Sequence, residues 1–129
     1  MRKALLAALV FTATPTLALV TLQDAQAQVR DCVIVGNIGP IGVNSTGTIE
    51  LNSGETCNMF LTTSGTVVSA GVSERPKHGT LTLEGAGSMR YKPRDGYTGT
   101  DEFAVTITGH GQAQTTNATS ILKVIATVK

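Results

Sequence analysis

The sequence has no tryptophan, only two tyrosines and three phenylalanines, two cysteines, two histidines and no stretch with helical period. Each scarcity removes a class of function. Without exposed aromatics interleaved among the basic residues, a platform on which single-stranded nucleic acid could stack is not expected. Cys32 and Cys57 lie too far apart for the short spacing of a zinc site, and His78 and His110 are the only imidazoles that could complete one. Met59 and Met89 fall on expected core faces, which argues against a copper set with those histidines. Serines are plentiful, but no Gly-x-Ser-x-Gly elbow exists to present one as a nucleophile. A carboxylate pair for glycosidase chemistry would need an open cleft that so short a chain rarely builds. The expectation is a protein without enzymatic activity and without a bound cofactor.

A strong charge bias is missing as well. The 129 residues hold ten basic and nine acidic side chains. Arg2 and Lys3 precede an uncharged, largely apolar run from Ala4 to Leu22, and Ala25-Gln26-Ala27 then places small residues at alternate positions. This is the pattern of a secretory leader, and residues 1–27 are expected to be cleaved, leaving a domain over residues 28–129. That product carries eight basic and eight acidic residues, so electrostatic steering towards nucleic acid or an anionic membrane is not expected. No later stretch reaches the roughly 18 apolar residues of a membrane span. Val29-Arg30-Asp31 ahead of Cys32 does not suit a lipid-anchor site. A soluble product, periplasmic or released to the medium, is therefore expected.

Export puts Cys32 and Cys57 in an oxidising compartment, where they are expected to pair. In the loop-entropy account, closing a ring of about 26 residues contributes roughly 3–4 kcal/mol. For a domain whose core rests on Val, Ile and Leu, that is a large share of stability.

Strand period dominates the rest. Cys32-Val33-Ile34-Val35 reads as a first strand, and the glycine-punctuated 37–44 stretch as an irregular connection or edge. Gly47–Leu51, Cys57–Leu61 and Thr66–Val72 follow as strands. Thr80–Leu83 and Ser88–Tyr91 flank Glu84-Gly85-Ala86-Gly87 as a hairpin, with Leu81, Leu83, Met89 and Tyr91 inward and Arg90 and Lys92 outward. Phe103, Val105 and Ile107 share one face of the next strand, and Gly109-His110-Gly111 is read as the turn into a last strand over 119–128. About seven to eight short antiparallel strands without helices predict an all-β, immunoglobulin-like sandwich, with a small β-barrel as the alternative.

The central stretch supplies Pro76, His78, Gly79 and Thr80, then Tyr91 and Pro93, then Gly96, Tyr97, Gly99, Asp101 and Phe103. It resembles the bacterial Ig-like and cadherin-like domains of secreted and surface proteins, which often occur as tandem repeats. The resemblance covers about 30 residues in a single copy, so the stalk role of a repeat array is not implied. It implies a spacer or binding module, whose protein or polysaccharide partner stays unnamed. Residue chemistry assigns Tyr97, Gly99 and Asp101 to a structural corner: glycine for the reversal, the tyrosine ring as a plug, and the aspartate as an acceptor for loop amides. Asp95, Asp101 and Glu102 could be drawn as calcium ligands, but turn capping suits them better.

Arg75, Lys77, Arg90, Lys92 and Arg94 crowd five cations into twenty residues. They are the candidate ligand-binding residues, for acidic polysaccharide or another anion, set against the plainer role of keeping strand edges from aggregating. Asn44-Ser45-Thr46 and Asn117-Ala118-Thr119 match glycosylation sequons and are read as coincidental in an apparently bacterial chain.

Overall fold

The computed structural model describes Ala13, residues 28–61 and residues 64–129. Apart from Ala13, the expected leader over residues 1–27 lies outside the described residues, as do Thr62 and Thr63. The described chain forms β1 (Val29–Asp31), β2 (Val35–Asn37), β3 (Ser45–Leu51), β4 (Thr56–Phe60), β5 (Thr66–Glu74), β6 (Gly79–Leu83), β7 (Ser88–Pro93), β8 (Gly99–His110) and β9 (Ala118–Val128). They make two open sheets, ordered β1-β4-β7-β6 and β2-β3-β9-β8-β5. The expected sandwich is present, and because neither sheet closes, the barrel alternative falls.

Alternation decides which face is buried. In the β8–β9 ladder Phe103 pairs with Val124 and Val105 with Leu122 on the inner face, all buried. Ile49 and Leu51 of β3 add to this layer, while Met59, Met89, Tyr91 and Leu81 come from the smaller sheet. The Tyr91 and Phe103 rings stack across the gap with centroids 5.2 Å apart, so two of the few rings lie at the centre of the core. On the outer face Lys123 pairs with Glu102 at 3.2 Å.

Three details differ from the sequence expectation. The described residues form nine strands rather than seven or eight, because the apolar 32–35 run is not one strand. Its hydrogen bonds divide between the sheets: β1 pairs with β4, and three residues later β2 pairs with β3. Two of the seven ladders, β1–β4 and β3–β9, are parallel. Such pairs need a long crossover, and much of the sandwich lies between β3 and β9 in the chain. Finally, β8 runs on to His110 and the loop into β9 spans 111–117, so the predicted turn at 109–111 is a strand end.

At the corner before β8, the Tyr97 hydroxyl donates to the Thr100 carbonyl and its ring stacks on His78, with centroids 4.4 Å apart and planes within 5°. Gly99 has φ +130°, and a β-carbon there would sit 3.0 Å from the tyrosine oxygen, so this position demands glycine twice over. Asp101 is only 3 % exposed and its carboxylate is fully engaged. It accepts the Lys77 amide on Oδ1 and the His78 amide on Oδ2, each at 3.0 Å, the Glu102 amide at 3.0 Å, and the Tyr91 hydroxyl at 2.8 Å. Burial first, then the bond to this carboxylate, raise the Tyr91 phenol above its ordinary value.

Two variants should differ in a fixed order. Asp101→Asn turns an amide donor towards backbone donors and should cost about 3 kcal/mol, whereas Tyr91→Phe removes one donor and should cost about 1–2 kcal/mol. Denaturant midpoints check this, and equal costs would contradict the network. The neutral phenol is favoured in the fold, so its contribution is complete below pH 10.0, the phenol's ordinary value, and is lost as pH rises beyond it. Tyr91→Phe should abolish that part of the alkaline destabilisation. Separately, Cys32→Ala/Cys57→Ala should lower stability by about 3 kcal/mol. A midpoint unchanged in this double variant would show that the bridge does not staple the fold.

Candidate functional site

The site is built where the N-terminal chain changes sheets. The Cys32 amide donates to the Asn58 carbonyl at 2.8 Å, and the Cys32–Cys57 disulfide ties the same point to β4, with Cα atoms 5.4 Å apart. Val33 then projects into solvent, 80 % exposed, while Ile34 turns inward over β3. Gly47 makes that possible, because a β-carbon there would overlap the Ile34 side chain. The chain next loops through 38–44. Ser45 Oγ accepts the Gly39 amide at 2.8 Å, and Asn44 Oδ1 accepts the Ile121 amide at 2.9 Å, which pins the loop against β9.

Between this loop and the ends of β4, β8 and β9 lies an apolar cleft of about 220 Å³. Ile107, Leu122 and Ile41 form its buried part, and the half-buried Ile34 and Leu61 flank it. Its mouth carries Val33, Ile38, Val43, Phe60 and Ile121, five of the eight exposed large hydrophobic residues among the described ones. Phe60 is 55 % exposed at the end of β4. The cleft contains one buried hydroxyl, that of Ser120, and one charged residue, Asp31.

The basic residues do not form one surface. Arg90 is committed: its Nε donates to Asn58 Oδ1 at 3.0 Å and its guanidinium meets the Glu84 carboxylate at 3.2 Å. Arg94 donates to the Lys77 carbonyl at 3.3 Å, bracing the β5–β6 connection, and Arg75 and Lys77 are exposed on that connection. Lys92 and Arg94 share a shallow depression with Thr80 and Asp95. The strand face named from the sequence is thus divided by Glu84, a loop residue whose reach could not be inferred from strand alternation.

The acidic trio also separates. Asp101 is occupied by protein donors, Glu102 faces Lys123 on the other side of the strand, and Asp95 is exposed in the turn. Among the described residues no three His, Cys, Asp or Glu side chains converge as a metal site would need. His78 lies under Tyr97. His110, expected in a solvated turn, instead ends β8 half-buried opposite Thr66, with Nδ1 3.1 Å from the Gly111 carbonyl. The reason is the longer loop that follows.

Sequence reasoning missed the cleft. The available signal was four apolar residues, Ile34, Ile38, Ile41 and Val43, in a stretch too rich in glycine for strand or helix. Apolar residues without a period mark a loop that packs on something, but not what it leaves open.

A family model described as a bacterial Ig domain matches residues 12–123. No curated protein matches the chain. Among solved structures, PbICP-C in complex with falcipain-2 is 12 % identical, with 79 % of this chain and 99 % of that one covered and a TM-score of 0.40. Amebosin, known from a solution structure, is 18 % identical, with 70 % and 100 % covered and a TM-score of 0.40. The inclusion body protein PixA from Burkholderia cenocepacia is 12 % identical, with 74 % and 67 % covered and a TM-score of 0.39. With most of its length matched by the family model, the chain belongs to the bacterial Ig domain family.

Proposed function

We propose that the protein is an exported, non-enzymatic interaction module of the bacterial envelope or medium, and that it makes its contact through the apolar mouth at the N-terminal end of the sandwich. One observation carries the reading: five exposed hydrophobic side chains gather round a single cleft. Isolated exposed apolar residues are ordinary, whereas a cluster around a concavity is what partner surfaces use. The disulfide and membership of a family typical of surface and secreted proteins support export. So does the leader pattern of residues 1–27.

Expression in a bacterial host with fractionation and intact-mass measurement tests export. The expected product lies outside the cytoplasm, starts at Gln28 and is two hydrogens lighter than its reduced form. A full-length, reduced, cytoplasmic product would sink the export reading.

A second reading, anion binding, rests on the Thr80, Lys92 and Arg94 depression. Retention on an acidic polysaccharide column should then weaken steeply as salt shortens the Debye length to about 8 Å near 0.15 M. Lys92→Ser/Arg94→Ser should abolish retention. Retention unchanged in that variant, or absent at low salt in the wild type, removes the reading.

A further inference from the structure

The cleft and its rim are of different sizes, and the difference bears on what fills them. A volume of about 220 Å³ suits one aliphatic or aromatic side chain. A small apolar molecule confined to it would leave Val33 and Phe60, at 80 % and 55 % exposure, still in water. An occupant that covers both must insert one side chain while spreading over the rim, as a protein segment does.

Two polar features narrow the chemistry. Ser120 is 6 % exposed, stands opposite Ile107 on the inner face, lines the cleft, and its hydroxyl has no hydrogen-bond partner among the described residues. A buried hydroxyl left unpaired is costly, so a polar atom beside the inserted side chain would be favoured there. Asp31 is the one charge at the mouth and makes no ion pair among the described residues. It selects for a cation. Pairing two copies through this same end about a two-fold axis would offer Asp31 no cation, because the lining carries none. The described N-terminal strand starts away from the cleft: the Gln28 carbonyl accepts the Thr56 amide at the start of β4, and the cleft lies at that strand's other end, at Phe60.

We propose that this cleft receives a single aliphatic or aromatic side chain of a protein partner, flanked by a lysine or arginine that faces Asp31, with a polar atom of the same segment meeting the Ser120 hydroxyl. The inference rests on the interaction-module reading and gives that module its specificity.

The test is an NMR titration of the full exported, oxidised protein with three probes. One is an acetylated, amidated pentapeptide with phenylalanine between two lysines, one is the same peptide with serine for phenylalanine, and one is octanoate. The phenylalanine peptide should shift the Val33, Ser120 and Ile121 amides saturably, and the serine peptide should not. Val33→Ser/Phe60→Ser, both at exposed positions, should weaken binding at least tenfold with the spectrum otherwise unchanged. Asp31→Asn should weaken it a few-fold and remove its salt dependence, and Ser120→Ala should weaken it a few-fold. Saturation by octanoate without the peptide would overturn the proposal in favour of a small apolar ligand. Self-association in sedimentation, lost in Phe60→Ser, would overturn it in favour of a second copy. Silence from every probe in an exported protein overturns this inference alone, whereas a cytoplasmic, uncleaved product overturns the reading beneath it.

Discussion

The carboxylate of Asp101 is the polar point on which the sandwich turns. It sits in β8 of the larger sheet, receives the hydroxyl of Tyr91 from β7 of the smaller one, and takes two amides from the connection between β5 and β6. Three separate elements, drawn from both sheets and a connection, therefore share one buried acceptor. With no tryptophan and a core of modest aliphatic volume, packing alone tolerates slippage between the sheets. Four donors on one carboxylate do not, because a displaced strand would leave buried polar atoms without partners. The Tyr91–Phe103 stack lies two residues further along β8 and inherits that alignment.

This end of the molecule was the readable one. Gly96, Tyr97 and Gly99 are placed by a local demand, such as a reversal, a positive φ or a ring against a loop, and Asp101 by the loop amides it accepts. Local demands leave marks in sequence. The alternation in 103–107 and 122–128 exposed the inner faces of β8 and β9 equally well, because one side of each is core. The expected Cys32–Cys57 bond is present for a similarly simple reason, two thiols and nothing else for them to bind.

What could not be read depends on contacts between segments without period. The 32–44 stretch divides its hydrogen bonds between two sheets, and nothing in Val33-Ile34-Val35 tells an observer which residue makes the crossing. Gly47 is the residue that admits Ile34, yet in sequence it is one more glycine at a strand start. The basic residues were hard to read for the opposite reason. Their alternation was plain, but alternation is silent about Glu84, which reaches from the hairpin loop to neutralise Arg90. Charge density in sequence overstates the free charge on a surface whenever a turn supplies counter-ions.

The two ends of the sandwich thus have opposite physics, and the disulfide belongs to the open end. Asp101 fixes its corner with hydrogen bonds that form wherever the chain folds. The mouth has no comparable network. Ser45 and Asn44 hold the far side of its loop, and on the near side Cys32, itself a lining residue, is held to β4 by one backbone bond and by Cys57. Without the covalent tie, Val33 and Ile34 lie in a link between two three-residue edge strands, β1 and β2, an arrangement with little stability of its own. Oxidation therefore limits the conformations of the wall against which a partner would pack. A cleft ordered before contact costs less entropy to occupy than one assembled by it. On this argument the two cysteines do more than stabilise the fold: they order one wall of the cleft.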